Sequence, residues 1–101
     1  MKKSEMKNQE MYSELGWGIE CGDGWKKLLD DMMDEIKAVM PDYRPTQIKE
    51  KFGTLRVYDN GATDEVMDII EKYDKKSETT CETCGGKGKL TNTNSWLEVI
   101  C

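Results

Sequence analysis

The step Cys81-Glu82-Thr83-Cys84, followed directly by Gly85-Gly86, constrains this chain more than any other feature. A C-x2-C step opens a zinc knuckle because its tight turn aims two thiolates at one ion while backbone amides donate to the sulfurs, and glycine after the second cysteine permits that turn. A four-cysteine ribbon repeats the step after a spacer of about 15–20 residues. Here sixteen residues follow Cys84 and then comes Cys101, so three of the four positions are supplied. Residues 78–101 are therefore expected to form a zinc-ribbon-like hairpin in which the metal holds the fold together. The fourth ligand stays open between Cys21, the terminal carboxylate of Cys101, a nearby Asp or Glu, and a second chain in a homo-oligomer. Cys21 reads rather more simply as a small buried hydrophobe, and thiols that merely pack are the alternative to a metal site.

The 101 residues have room for one modest core, as a single domain or a small domain with an appendage. No apolar run exceeds three residues, so neither a membrane span nor an export signal is expected. Cysteines without an export signal point to a reducing compartment, by default the cytoplasm. The net charge of −5 argues against a general nucleic-acid coat. There is no histidine, which removes the commonest base near neutral pH and every Ser-His or Cys-His nucleophile. A binding protein is expected rather than an enzyme; catalysis would need an open metal position facing a cleft with Asp23 or Glu50.

Residues 1–15 are polar apart from a few positions such as Met11, Tyr12 and Leu15, and read as a frayed arm or a short helix laid on the body. Residues 16–77 hold the core. They begin with Gly16-Trp17-Gly18-Ile19-Glu20-Cys21-Gly22-Asp23-Gly24-Trp25, a loop shaped by glycines and pinned by tryptophans, with Asp23 at the expected N-cap of a helix. Apolar residues at Trp25, Leu28, Leu29, Met32, Met33, Ile36, Val39 and Met40 predict an amphipathic helix over 25–40, stopped by Pro41. Its methionines offer adaptable packing, or a groove for a partner. Asn60-Gly61 is a turn. Thr63 then caps a second helix with Asp64 and Glu65 in its first turn, a buried stripe through Val66, Met67, Ile69, Ile70 and Tyr73, and Lys75 and Lys76 at its end. In the ribbon, Leu90 and residues 96–100 would form the strands and 92–94 the loop.

Between the helices, residues 47–59 predict a hairpin turning at Gly53-Thr54, a pair suited to a type II′ turn. That register pairs Phe52 with Leu55, Glu50 with Val57 and Ile48 with Asp59 on a mostly apolar face. The opposite face carries Gln47, Lys49, Lys51, Arg56 and Tyr58, with Lys51 directly across from Arg56. Like charges so placed repel, and an anion between them would relieve it. Arginine offers a fork for phosphate oxygens, lysine a point charge, and Tyr58 or Trp25 a stacking surface for a base. The plain alternative is that the protein's own carboxylates neutralise these cations, or that the face is simply solvated.

The motifs Glu20-Cys21-Gly22-Asp23-Gly24-Trp25, Gln47-Ile48-Lys49-Glu50-Lys51-Phe52-Gly53-Thr54-Leu55-Arg56 and Thr80-Cys81-Glu82-Thr83-Cys84-Gly85 together resemble a family of small uncharacterised bacteriophage and prophage proteins. The resemblance spans residues 19–101 and implies an accessory role in the host cytoplasm, of the kind that interferes with host defence. The expected protein is thus α+β: two helices on a small antiparallel sheet, with a C-terminal zinc-ribbon-like hairpin. Its expected function is non-enzymatic binding of an anionic nucleotide signal where Asp23 and Trp25 meet Lys49, Lys51, Arg56 and Tyr58. A zinc-ribbon adaptor for a host protein is the alternative. Nucleic acid ranks behind both.

Overall fold

A computed structural model describes residues 3–16, 18–93 and 96–100. Two α-helices pack on a three-stranded mixed sheet, an α+β arrangement, and a separate two-stranded hairpin follows.

The sheet is mixed because of a strand that the sequence pattern conceals. β1 (Ile19–Glu20) lies inside the glycine-rich loop and pairs parallel to β2 (Pro45–Lys51), with Ile19 against Ile48 and Glu20 against Lys49. α1 (Lys26–Val39) makes the crossover that parallel neighbours require. Two residues are too few to show alternation, so the expected purely antiparallel sheet is corrected here.

The hairpin of β2 with β3 (Thr54–Asp59) exists, but its turn is Phe52-Gly53 rather than Gly53-Thr54. Both turn residues have positive φ, 54° and 80°, the signature of a type I′ turn. Lys51 therefore pairs with Thr54, Glu50 with Leu55, Lys49 with Arg56, and Ile48 with Val57. The shift moves each partner by two residues, which leaves every side chain still in the ladder on its expected face. Phe52 leaves the apolar face and stands at the tip. The Glu50 carboxylate accepts from the Gly53 N–H at 2.8 Å and ties the turn down.

Ile19, Ile48 and Leu55 bury the inner face of the sheet against Leu29, Met32, Met33 and Ile36 of α1. The methionines of α1 are thus core, and Met32 and Met33 offer no partner a groove. The N-terminal arm is two short 3-10 turns laid on α1, with Met6, Met11, Tyr12 and Leu15 buried. The Lys7 N–H donates to Asp30, and Lys7 and Asn8 side chains both reach Asp34.

α2 (Asp64–Ser77) starts as expected, with the Thr63 hydroxyl accepting from the Val66 N–H at 3.3 Å. It is tied to α1 through Glu35, which accepts from both Lys72 and the Tyr73 hydroxyl. Those two donors hold the Glu35 carboxyl below its ordinary range. β4 (Lys89–Thr93) and β5 (Trp96–Ile100) then pair antiparallel, so Asn92 and Thr93 belong to a strand rather than to the loop expected there.

Candidate functional site

Two sequence motifs far apart in the chain form one unit. The Gly22–Gly24 backbone lies directly on the knuckle: the Gly24 N–H donates to the Glu82 carbonyl at 2.7 Å and the Gly22 N–H to the Glu82 carboxylate at 3.1 Å. A Cβ on Gly24 would sit 2.2 Å from the Cys81 carbonyl oxygen, and one on Gly22 would sit 2.4 Å from that of Glu82. These glycines are required by main-chain contact with the cysteine turn. Trp25 completes the clasp, fully buried with its indole N–H donating to the Thr80 carbonyl at 2.9 Å.

This placement corrects the expected ligand pocket. Trp25 presents no face to a ligand, because it fills the core. Asp23 opens a 3-10 turn (Asp23–Trp25) whose N-cap is Gly22, so it does not cap α1. The glycines on either side of it pack on the knuckle.

The knuckle itself is well formed. Cys81 is fully buried, and its Sγ accepts from the Thr83 and Cys84 N–H groups, each at 3.4 Å. The Cys81 N–H donates to the Gly86 carbonyl at 2.7 Å, and the Gly85 N–H returns to the Cys81 carbonyl at 2.9 Å. Gly85 takes φ 79°, a left-handed conformation that suits glycine. Two amides aimed at one sulfur are the donor arrangement that a knuckle presents to a metal-bound cysteine. Thr80 bridges Lys87, and the Gly88 N–H bonds the Thr79 carbonyl, closing the stem. Since Lys89 pairs with Ile100, the open end of the β4–β5 hairpin lies at that stem. Cys101 and Trp17 lie outside the described residues.

Cys21 is in a different environment. It is buried in the core, and that burial, with Glu82 and Glu50 nearby, pushes its thiol up to about 12. Among the described residues no group of three His, Cys, Asp or Glu side chains could hold a metal, so Cys21 does not join Cys81 and Cys84 in a site.

The second feature is the outer sheet face. Lys49 stands directly opposite Arg56, with Lys51 two pairs further toward the turn and Tyr58 two pairs further away, on the same face. Arg56 leans around the sheet edge to within 4.0 Å of Asp74 on α2, so one cation finds an internal carboxylate. Lys49 lies over the Tyr58 ring at 5.9 Å and Lys51 over the Phe52 ring at 5.6 Å, geometries of cation–π contact. Glu20 is the nearest strand neighbour of Lys49, but it accepts from Gln47 at 3.1 Å instead. Among the described residues neither Lys49 nor Lys51 has a carboxylate partner.

Phe52 is the residue the sequence reading misplaced most consequentially. It is 65% exposed in a left-handed backbone position where Asn, Asp or Gly is the usual occupant. A bulky side chain there costs roughly 1–2 kcal/mol. Its place in the sequence, next to a Gly, was the available signal for a turn at residues 52–53.

No protein-family model, curated protein or solved structure matches the chain.

Proposed function

We propose that the protein acts by binding, and that the outer face of its sheet takes an anionic nucleotide. Lys49, Lys51 and Arg56 would hold the phosphates, and Tyr58 and Phe52 would stack a base. The observation that carries this reading is Phe52: an exposed aromatic ring kept in a strained turn, at the end of a cationic face on an acidic protein. Such local strain concentrates at functional surfaces. Nothing in the core requires that ring. Sequestering a nucleotide signal needs affinity and no catalytic base, which fits the phage anti-defence role in the host cytoplasm that the resemblance implies.

Calorimetric titration with a cyclic dinucleotide and with ATP tests it. Phe52→Asn suits the turn better and should leave thermal stability equal or higher, while losing one stacked base weakens binding roughly tenfold. Lys49→Glu with Lys51→Glu should abolish binding, with the fold intact because both side chains stand outside the core. Affinity unchanged in both variants would remove the proposed face from consideration.

We propose further that Cys81 and Cys84, with Cys101, bind zinc as a structural ion. The amide donors on Cys81 support this, and the ion would supply a fixed cross-link between the knuckle and the end of the chain. Elemental analysis should find one zinc per chain in protein purified without chelator, lost together with thermal stability in Cys84→Ser. Metal-free protein whose melting is indifferent to chelator would contradict it. A ribbon adaptor that binds a host protein is the second reading, favoured by Met67, 57% exposed on α2.

A further inference from the structure

We propose that the outer edge of β3, with the groove between it and α2, docks an extended basic peptide segment of a partner protein. This site is separate from the cationic face and does not depend on the nucleotide reading.

The strand order β1-β2-β3 leaves β3 at the sheet edge. In a two-residue hairpin the pair flanking the turn, here Lys51 with Thr54, exchanges hydrogen bonds, and alternate pairs follow suit. Thr54, Arg56 and Tyr58 therefore direct their N–H and C=O toward β2, whereas Leu55, Val57 and Asp59 direct theirs outward. The Leu55 N–H donates to the Ser77 hydroxyl at 3.0 Å, which fits this phase and seals that end of the edge. Val57 comes next, and its outward amide has no partner among the described residues. An added strand has a main-chain group to pair with at that point.

Beside it runs a groove of about 460 Å³ with Val57, Met67 and Ile70 among its lining. Its rim carries Asp68, Glu71 and Asp74. Asp68 has no cationic partner among the described residues, and Glu71 meets only Lys75 on its own helix, at 3.4 Å. Burial pushes the Asp74 carboxyl up from its ordinary value, with Glu78 and Glu71 adding to the shift and Arg56 opposing it. Apolar floor, acidic wall and an unpaired amide together select one chemistry. The occupant is an extended segment with an aliphatic side chain directed onto Met67 and Ile70 and Lys or Arg directed to Asp68 and Glu71. A second copy pairing edge to edge would instead bring two acidic walls together, each on a chain of net charge −5.

Amide chemical-shift titration of the full chain with a capped hexapeptide of alternating Lys and Val, and with its Glu and Val counterpart, tests the assignment. The basic peptide should move the resonances of Val57, Met67, Ile70 and Glu71. Asp68→Lys, an exposed change, should weaken its binding roughly tenfold or more. Met67→Lys should do likewise, while Lys49→Glu should leave it unchanged. The proposal is overturned if the acidic peptide binds equally well, if shifts from the basic peptide spread over the whole acidic surface, if Asp68→Lys has no effect, or if sedimentation shows a dimer that occludes β3.

Discussion

Gly24→Ala is expected to destabilise the protein by about 3 kcal/mol, the upper end for overpacking a close contact, and to lower its melting temperature by roughly 15 °C. The added methyl would meet the Cys81 carbonyl oxygen at 2.2 Å, the Glu82 carbonyl carbon at 2.5 Å and its oxygen at 2.7 Å. All three are main-chain atoms, so no rotamer change relieves the clash. Moving apart would also break the 2.7 Å hydrogen bond from the Gly24 N–H. Gly16→Ala is the matched control, because nothing lies within 4 Å of its added methyl. It should stay within about 0.5 kcal/mol of the parent. Urea unfolding followed by circular dichroism separates the two, and equal midpoints for Gly24→Ala and Gly16→Ala would show that the clasp does not exist.

Trp25→Ala is expected to cost still more, about 3–5 kcal/mol, a large share of the roughly 5–15 kcal/mol that holds a small domain folded. The ring is fully buried and belongs to the core cluster that the arm, both helices and the sheet share. It also spans 55 residues of sequence through its bond to Thr80. Trp25→Phe divides the two contributions. It keeps most of the apolar area but leaves the Thr80 carbonyl without its indole donor, a loss of about 1–3 kcal/mol. The same unfolding measurement reports both variants. A Trp25→Ala protein within 1 kcal/mol of the parent would mean that this side chain is a surface feature after all.

The helices were legible because their signals are local. Apolar spacing over 25–40 anticipates Lys26–Val39 within a residue, and Thr63 with its following acids anticipates the start of Asp64–Ser77. The cationic face was also legible, despite the wrong turn. A register error of two residues keeps side chains on their sides of a hairpin, so Lys49, Lys51, Arg56 and Tyr58 remained together while their partners changed. What could not be read were the long-range placements. β1 is too short to announce itself, and its partner is far away in sequence. Trp25 and Asp23 looked available to a ligand because a sequence shows an aromatic ring without showing what covers it. Gly22 and Gly24 were recognised as shaping a loop, yet their reason lies 60 residues onward at Glu82. Phe52 falls in the strand of the expected hairpin because Gly53 fits the first residue of a type II′ turn, whereas it is the second residue of a type I′ turn.

The contact between the glycine loop and the cysteine turn also bears on the order in which a growing chain acquires its shape. Residues 22–25 are synthesised well before residues 80–86, so the start of α1 is made before its partner exists. Until the knuckle emerges, the indole of Trp25 has no carbonyl to meet. A chain truncated before that point would lack the Thr80 and Glu82 groups to which the start of α1 is tied.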